Sequence, residues 1–122
     1  KFYTLEDKID MNYLDRKIKL PEGILGISED SVPVRKHFID SNGHVNNGKY
    51  IACAAEYIPD GFKVERIRAE YKRSAKYGDI FYPMVYTKEN EDGTSSIWVS
   101  LNSGNETENS KPYAIVKFDI YK

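Results

Sequence analysis

A single cysteine, Cys53, leaves this 122-residue chain no partner for an intramolecular disulfide, which excludes a small secreted scaffold held by disulfides. Long apolar runs are also missing. None approaches the ~20 residues that a membrane-spanning helix needs, and the opening stretch KFYTLEDKIDMNYLDRKIKL has no signal-peptide core. Excess charge of one sign is absent too: 18 basic residues against 19 acidic give a net charge of −1. No global field therefore draws in nucleic acid or a membrane surface, although a local basic patch is still allowed. Metal-binding spacings are scarce. His37, Asp40 and His44 form a candidate set, but no HxH, CxxC or HExxH pattern supports it, so no metal and no cofactor is expected. The Asn105-Glu106-Thr107 triplet fits a glycosylation pattern of a kind that often arises by chance. A cytoplasmic chain long enough for one core is the expectation. It begins at Lys1 rather than Met, and is read as a piece of something longer.

What the sequence does have is aromatic residues, mostly Tyr, in alternating patterns that suit a half-buried sheet. Residues 1–30 are polar, broken at Pro21-Glu22-Gly23, and keep no clean period; they read as an irregular arm, with room for a short helix. Ser31 to Ile39 reads as a first strand. A helix is expected from about Val45 to Ile58, stopped by Pro59-Asp60-Gly61, and apolar on so many sides that it must be wrapped. The period then switches to two. Ile67, Ala69 and Tyr71 share one face of a strand, and Arg66, Arg68, Glu70 and Lys72 the other. Further strands follow at Ile80–Tyr86, with Pro83 marking an edge or bulge, at Ser95–Leu101 after the Asn90–Gly93 turn, and from about Tyr113 to the end. One buried helix and hairpin-linked strands predict an α+β chain: a curved antiparallel sheet wrapped around one central helix, the shape of the hotdog fold.

The densest polar cluster, IDSNGHVNNGKY, stands directly before that helix. Asn42-Gly43 and Asn47-Gly48 can serve simply as turns, and Asp40, Ser41 or Asn42 as a helix N-cap. Together, however, Asp40, Asn42 and His44 put an acid, an amide and an imidazole at alternate positions beside a helix N-terminus, whose N–H groups suit developing negative charge. Cys53 lies well inside the helix between alanines and reads as an inert thiol.

The run from Asp40 to Ile51 closely resembles the D-x-N-x-H-V-N-N-x-x-Y signature of acyl-ACP thioesterases, and Glu70-Tyr71-Lys72-Arg73 with Gly78-Asp79 is similar to their second, weaker motif. The resemblance implies the C-terminal of two tandem hotdog domains: residues 1–30 as the interdomain linker, and 31–122 as the thioesterase domain. It implies hydrolysis of the fatty acyl thioester of acyl carrier protein, ending fatty acid chain growth, with Asp40, Asn42 and His44 catalytic. Asn46, Asn47 and Tyr50, in the same motif, are assigned to substrate binding. The expected partners are the carrier protein with its phosphopantetheine-linked acyl chain and either the missing N-terminal hotdog or a second copy; no nucleic acid or membrane is expected.

The strip Arg66, Arg68, Lys72, Lys76 is read as a carrier-docking surface, or else as an ordinary solvated face. One departure stands out. Where the family commonly carries a Glu, this chain has Ser74, followed by Ala75. Glu70 is a poor substitute, since alternation turns it away from Ala69 and Tyr71. An acyl-CoA thioesterase of the same fold, or a catalytically weak docking domain, are the rival readings.

Overall fold

The structure, a computed structural model, describes residues 17–104 and 111–122. Six strands form one open antiparallel sheet: β1 (Ile27–Ser28), β2 (Val32–Pro33), β3 (Lys63–Tyr71), β4 (Ile80–Glu89), β5 (Ser95–Asn102) and β6 (Pro112–Tyr121). Their order is β1-β4-β5-β6-β3, with β2 also paired to β4. Helix α1 (Asn47–Ala55) packs against β5 and β6.

Alternation along β3 to β6 sorts the sheet into two faces. Toward the helix stand Ile67, Ala69, Phe81, Val99, Leu101, Val116 and Phe118, all essentially inaccessible, closing on Tyr50, Ile51 and Ala54 of α1. Glu65 is an extra residue between the Val64–Ile120 and Arg66–Asp119 pairs, a bulge that lets both Val64 and Ile67 turn to the core. Tyr50, Phe81 and Tyr113 form an aromatic chain at about 5.5–5.7 Å between ring centres. The Asn90–Gly93 turn forms as the sequence predicts: Gly93 adopts φ +89°, and Asp92 accepts from the Thr94 N–H and hydroxyl.

Three expectations need correction. The strand over 31–39 is cut to Val32–Pro33, followed by a 3-10 turn at Lys36–Phe38. Its partner runs out: Pro33 already faces Ile80, the first residue of β4, and beyond that the chain turns through Gly78 at φ +97°. The helix spans Asn47–Ala55 rather than 45–58. After Ala55 the bonds tighten to i→i−3, from Tyr57 N to Ala54 O and Ile58 N to Ala55 O, ahead of Pro59. Nor is α1 wrapped on several sides here. Ala52 and Cys53 are only half-buried, because the face away from the sheet is open.

Pro83 lies where β4 has no strand partner on its outer side, between the segments paired to β2 and β1, and its carbonyl accepts from Glu29 N at 3.0 Å. The arm's described part crosses the sheet's other face. Ile18 is buried against Trp98 and Ile115, its N–H donates to Glu70 Oε1 at 2.7 Å, and Leu20 packs with Tyr86 at the same cluster. The short helix considered for the arm and the Asn105 triplet lie outside the described residues. Among the described residues, no helix is long and apolar enough to cross a membrane.

Gly26 sits so close to the sheet that an added Cβ would stand 2.7 Å from Met84 Cγ and from the Tyr86 ring. Gly26→Ala should therefore lower stability by about 1–3 kcal/mol, read as a lower urea midpoint at unchanged slope. An unchanged midpoint would show that the strand β1 simply lifts away.

Candidate functional site

Residues 39–45 form a closed loop. Ile39 and Val45 bridge its base, Asp40 N donates to His44 O at 2.9 Å, and Gly43 supplies the positive φ (+83°) that the turn requires. Asp40 builds the interior: its Oδ1 accepts from Asn42 N at 2.9 Å and His44 N at 3.3 Å. An aspartate mimicking a backbone turn in this way is a local device, and here it fixes where Asn42 and His44 leave the chain.

The loop is anchored on both flanks. Asn46 N donates to Phe38 O at 2.9 Å, and Val45 N to Ala75 O at 2.8 Å. Ala75 is fully buried and belongs to the segment after β3. That segment is itself held: Lys72 N and Arg73 N reach Tyr113 O, Lys76 N reaches Asp79 Oδ2, and Val34 N reaches Asp79 O. The two sequence motifs thus meet in space, the second serving as the seat of the first.

The sequence offered Asp40, Ser41 or Asn42 as one reading of the helix N-cap. The cap is Asn46, whose Oδ1 accepts from Gly48 N at 2.8 Å while its carbonyl accepts from Lys49 N. Such a cap is worth about 1 kcal/mol. It also occupies two of the first-turn donors, so fewer N–H groups face an incoming anion than the sequence suggested.

Asp40, Asn42 and His44 share one loop; Asp40 is half-buried, whereas Asn42 and His44 are exposed. Among the described residues no hydrogen bond engages the His44 ring or the Asn42 amide, and none joins the three side chains. Of the other assigned residues, Asn46 is the cap just described and Asn47 is exposed, its carbonyl facing the Tyr71 hydroxyl at 3.5 Å. Tyr50, assigned to substrate, is 2% exposed. Its hydroxyl accepts from Ala75 N at 2.9 Å and donates to Arg73 O at 3.4 Å, so it is held in the core by backbone groups. Burial raises its pKa above the ordinary phenol value, the Ala75 N–H bond opposing, and the phenol stays neutral. This strut was missed because a tyrosine in a motif reads as functional surface, and nothing in the sequence marks Ala75.

A cavity of about 480 Å³ lies against the open face of α1, walled by Val32, Phe38, Ile51, Ala52 and Cys53, with His37, Asn46, Lys49 and Glu56 among its polar residues. Asp40, Asn42 and His44 are not on its wall. No group of three His, Cys, Asp or Glu among the described residues is placed to hold a metal ion. Ser74 is exposed between the two anchored residues Arg73 and Ala75, and Glu70 is turned to the opposite face, taken up by Ile18 and by Lys72 Nζ at 3.2 Å. Arg66 and Arg68 stand on that outer face opposite Asp119 and Lys117; Lys76 is exposed in the turn beyond. Lys117 is drawn off Arg68 by Asp119 at 3.8 Å and the Trp98 ring at 5.1 Å.

Residues 26–114 match the family model of the acyl-ACP thioesterase C-terminal domain. The chain belongs to that family. No curated protein matches the sequence. Solved structures of low identity share the hotdog fold. A Lactobacillus plantarum protein assigned as an oleoyl thioesterase aligns at TM-score 0.65 and 16% identity, over 86% of this chain and 40% of the other. The Streptococcus mutans protein smu.793, bound to acetyl CoA, aligns at 0.63 and 15%, over 86% and 92%. An acyl-ACP thioesterase from Bacteroides thetaiotaomicron aligns at 0.57 and 19%, over 84% and 42%. The chain therefore spans about two fifths of the first and third of these proteins and nearly all of the second.

Cys53, half-buried in the cavity wall, has its thiol pushed up to about 11 by burial and then by Glu56. The protonated form dominates below that value, so roughly a thousandth is thiolate at pH 8. Alkylation of the native protein by iodoacetamide should rise about tenfold per pH unit from 8 to 10, where an ordinary cysteine has begun to level off. A plateau by pH 9 would show a reactive thiol instead.

Proposed function

We propose that this domain hydrolyses the fatty acyl thioester of acyl carrier protein, as the C-terminal half of a tandem hotdog enzyme, with residues 1–30 as the connecting linker. The observation that carries the reading is the Asp40–His44 loop, anchored by backbone bonds to Ala75 and Phe38 inside the family-matched segment. The reaction needs a water positioned and deprotonated as it attacks the thioester carbonyl. His44, exposed on the anchored loop, takes that proton near neutral pH. Asn42, its amide unengaged, donates to the oxyanion. Collapse of the tetrahedral intermediate breaks the carbon–sulfur bond, and the proton held by His44 passes to the departing thiolate, leaving free acid and carrier thiol. Asp40 acts through the loop: Oδ1 sets its shape, and its charge favours the imidazolium that forms.

A second reading, an acyl-CoA thioesterase, draws support from the likeness to the acetyl CoA-bound Streptococcus protein, which this chain nearly matches in length. A third, a weakly catalytic docking half, rests on Ser74 standing where the family commonly has Glu.

In the full-length protein His44→Ala should abolish most acyl-ACP hydrolysis. Asp40→Asn, which keeps an oxygen acceptor at Oδ1, should leave folding intact while reducing turnover at least tenfold. Undiminished turnover in His44→Ala would end the catalytic reading, and faster turnover on matched acyl-CoA would favour the second. Wild-type turnover at background, restored by Ser74→Glu, would favour the third.

For the carrier surface, Arg66→Glu with Arg68→Glu should weaken acyl carrier protein binding at least tenfold at low salt, with the difference shrinking as ionic strength rises. Calorimetric titration showing unchanged affinity would move the docking site elsewhere.

A further inference from the structure

Tyr50 Oη and Ala75 close a ring with the catalytic loop. Covalent chain runs from Val45 through Asn46 to Tyr50; the Tyr50 hydroxyl then accepts from Ala75 N at 2.9 Å, and Ala75 O accepts from Val45 N at 2.8 Å. Val45 is the residue after His44. Both Tyr50 and Ala75 are buried, at 2% and 0% exposure, so neither bond competes with water. The Tyr50 ring is fixed independently, against Tyr71 and Phe81 at 5.7 Å between centres. A phenylalanine would fill the same space. What the hydroxyl adds is a tie between the helix and the 73–75 segment at the point where that segment holds the loop.

We propose that the Tyr50 hydroxyl is a positioning group for hydrolysis, acting through Ala75 and Val45 to set where His44 stands. This inference rests on the reading of His44 as the base. It differs from that reading in assigning Tyr50, whose hydroxyl is engaged by backbone groups in the core, control over the placement of the imidazole. The bond is backbone-directed at Ala75, so its effect passes through the main chain and not through the side chain at 74. A displacement of about an ångström at a general base is enough to cost on the order of a hundredfold in rate.

The test uses the full-length protein. Tyr50→Phe should lower kcat about 10- to 100-fold while KM for acyl-ACP stays within about twofold. In a His44→Ala background the same change should cost nothing further, since the hydroxyl then has no base to place. A kcat within twofold of wild type in a folded Tyr50→Phe protein overturns the proposal, and so does an equal loss with and without His44. Failure of His44→Ala to lose activity would instead refute the underlying reading, a separate outcome. Should Tyr50→Phe not fold, amide hydrogen exchange in the unaltered protein decides. Shared, strong protection of Val45 and Ala75 supports the closed ring; exchange of Val45 at the rate of an open loop overturns it.

Discussion

The bond from Val45 N to Ala75 O is where the fold and the candidate chemistry join. On one side of it lies a loop whose internal bonds are local and exposed: Asp40 to Asn42, Asp40 to His44, Gly43 to Asp40. Loops of that kind hold a shape only when their ends are held, because exposed local bonds contribute little once water competes. On the other side lies Ala75, sealed in the core by the aromatic group of Tyr50, Phe81 and Tyr113. The rigidity of the sheet is thus delivered to the loop through one buried carbonyl.

The sheet's two faces do different work. Its inner face buries aliphatic and aromatic side chains against α1 and sets the helix axis, and with it the place where the loop must end. Its outer face is mixed. A small apolar patch of Ile18, Trp98 and Ile115 is bordered by Arg66, Arg68, Lys117, Glu70 and Asp119, and the arm's described part is tied down there by a short bond to Glu70. Arg68 and Lys117 face each other across strands, an arrangement that costs stability unless neighbouring charge relieves it. Asp119 and the Trp98 ring relieve it on the Lys117 side, which leaves the guanidinium of Arg68 the less compensated of the two.

Strong periodicity was readable and weak periodicity was not. The alternation through Ile67, Ala69 and Tyr71, and again through Ala114, Val116, Phe118 and Ile120, announced long paired strands because each carries a full apolar face. The run from Val32 to Ile39 has apolar residues at strand spacing too, yet only Val32–Pro33 forms a strand and Lys36–Phe38 a 3-10 turn. Whether a strand forms there depends on whether β4 extends far enough to pair with it, and Gly78, distant in sequence, ends it. The helix was found but overextended at both ends, since local propensity says nothing of Asn46 winning the cap from Asp40. At the site the motif showed which residues gather on the loop. It gave no hint of how the Tyr50 hydroxyl is held, because its partner is a backbone N–H and leaves no trace in residue identity.

The same distinction between backbone and side-chain contacts bears on Ser74. The bonds that seat the 73–75 segment run from Arg73 N and Ala75 N, and to Arg73 O and Ala75 O. None uses the side chain at 74, which is exposed. An acid or a serine there is equally compatible with the seat, so the departure from the family's common residue leaves the architecture untouched and changes only the chemistry offered beside the loop. A carboxylate at 74 would bring a base and a negative charge to the segment that seats the loop; a hydroxyl adds neither at neutral pH. On the proposed hydrolytic reading, deprotonation of the attacking water then falls to His44, on a loop seated through the main chain. In a domain built this way the geometry of the imidazole matters more than it would beside a second base.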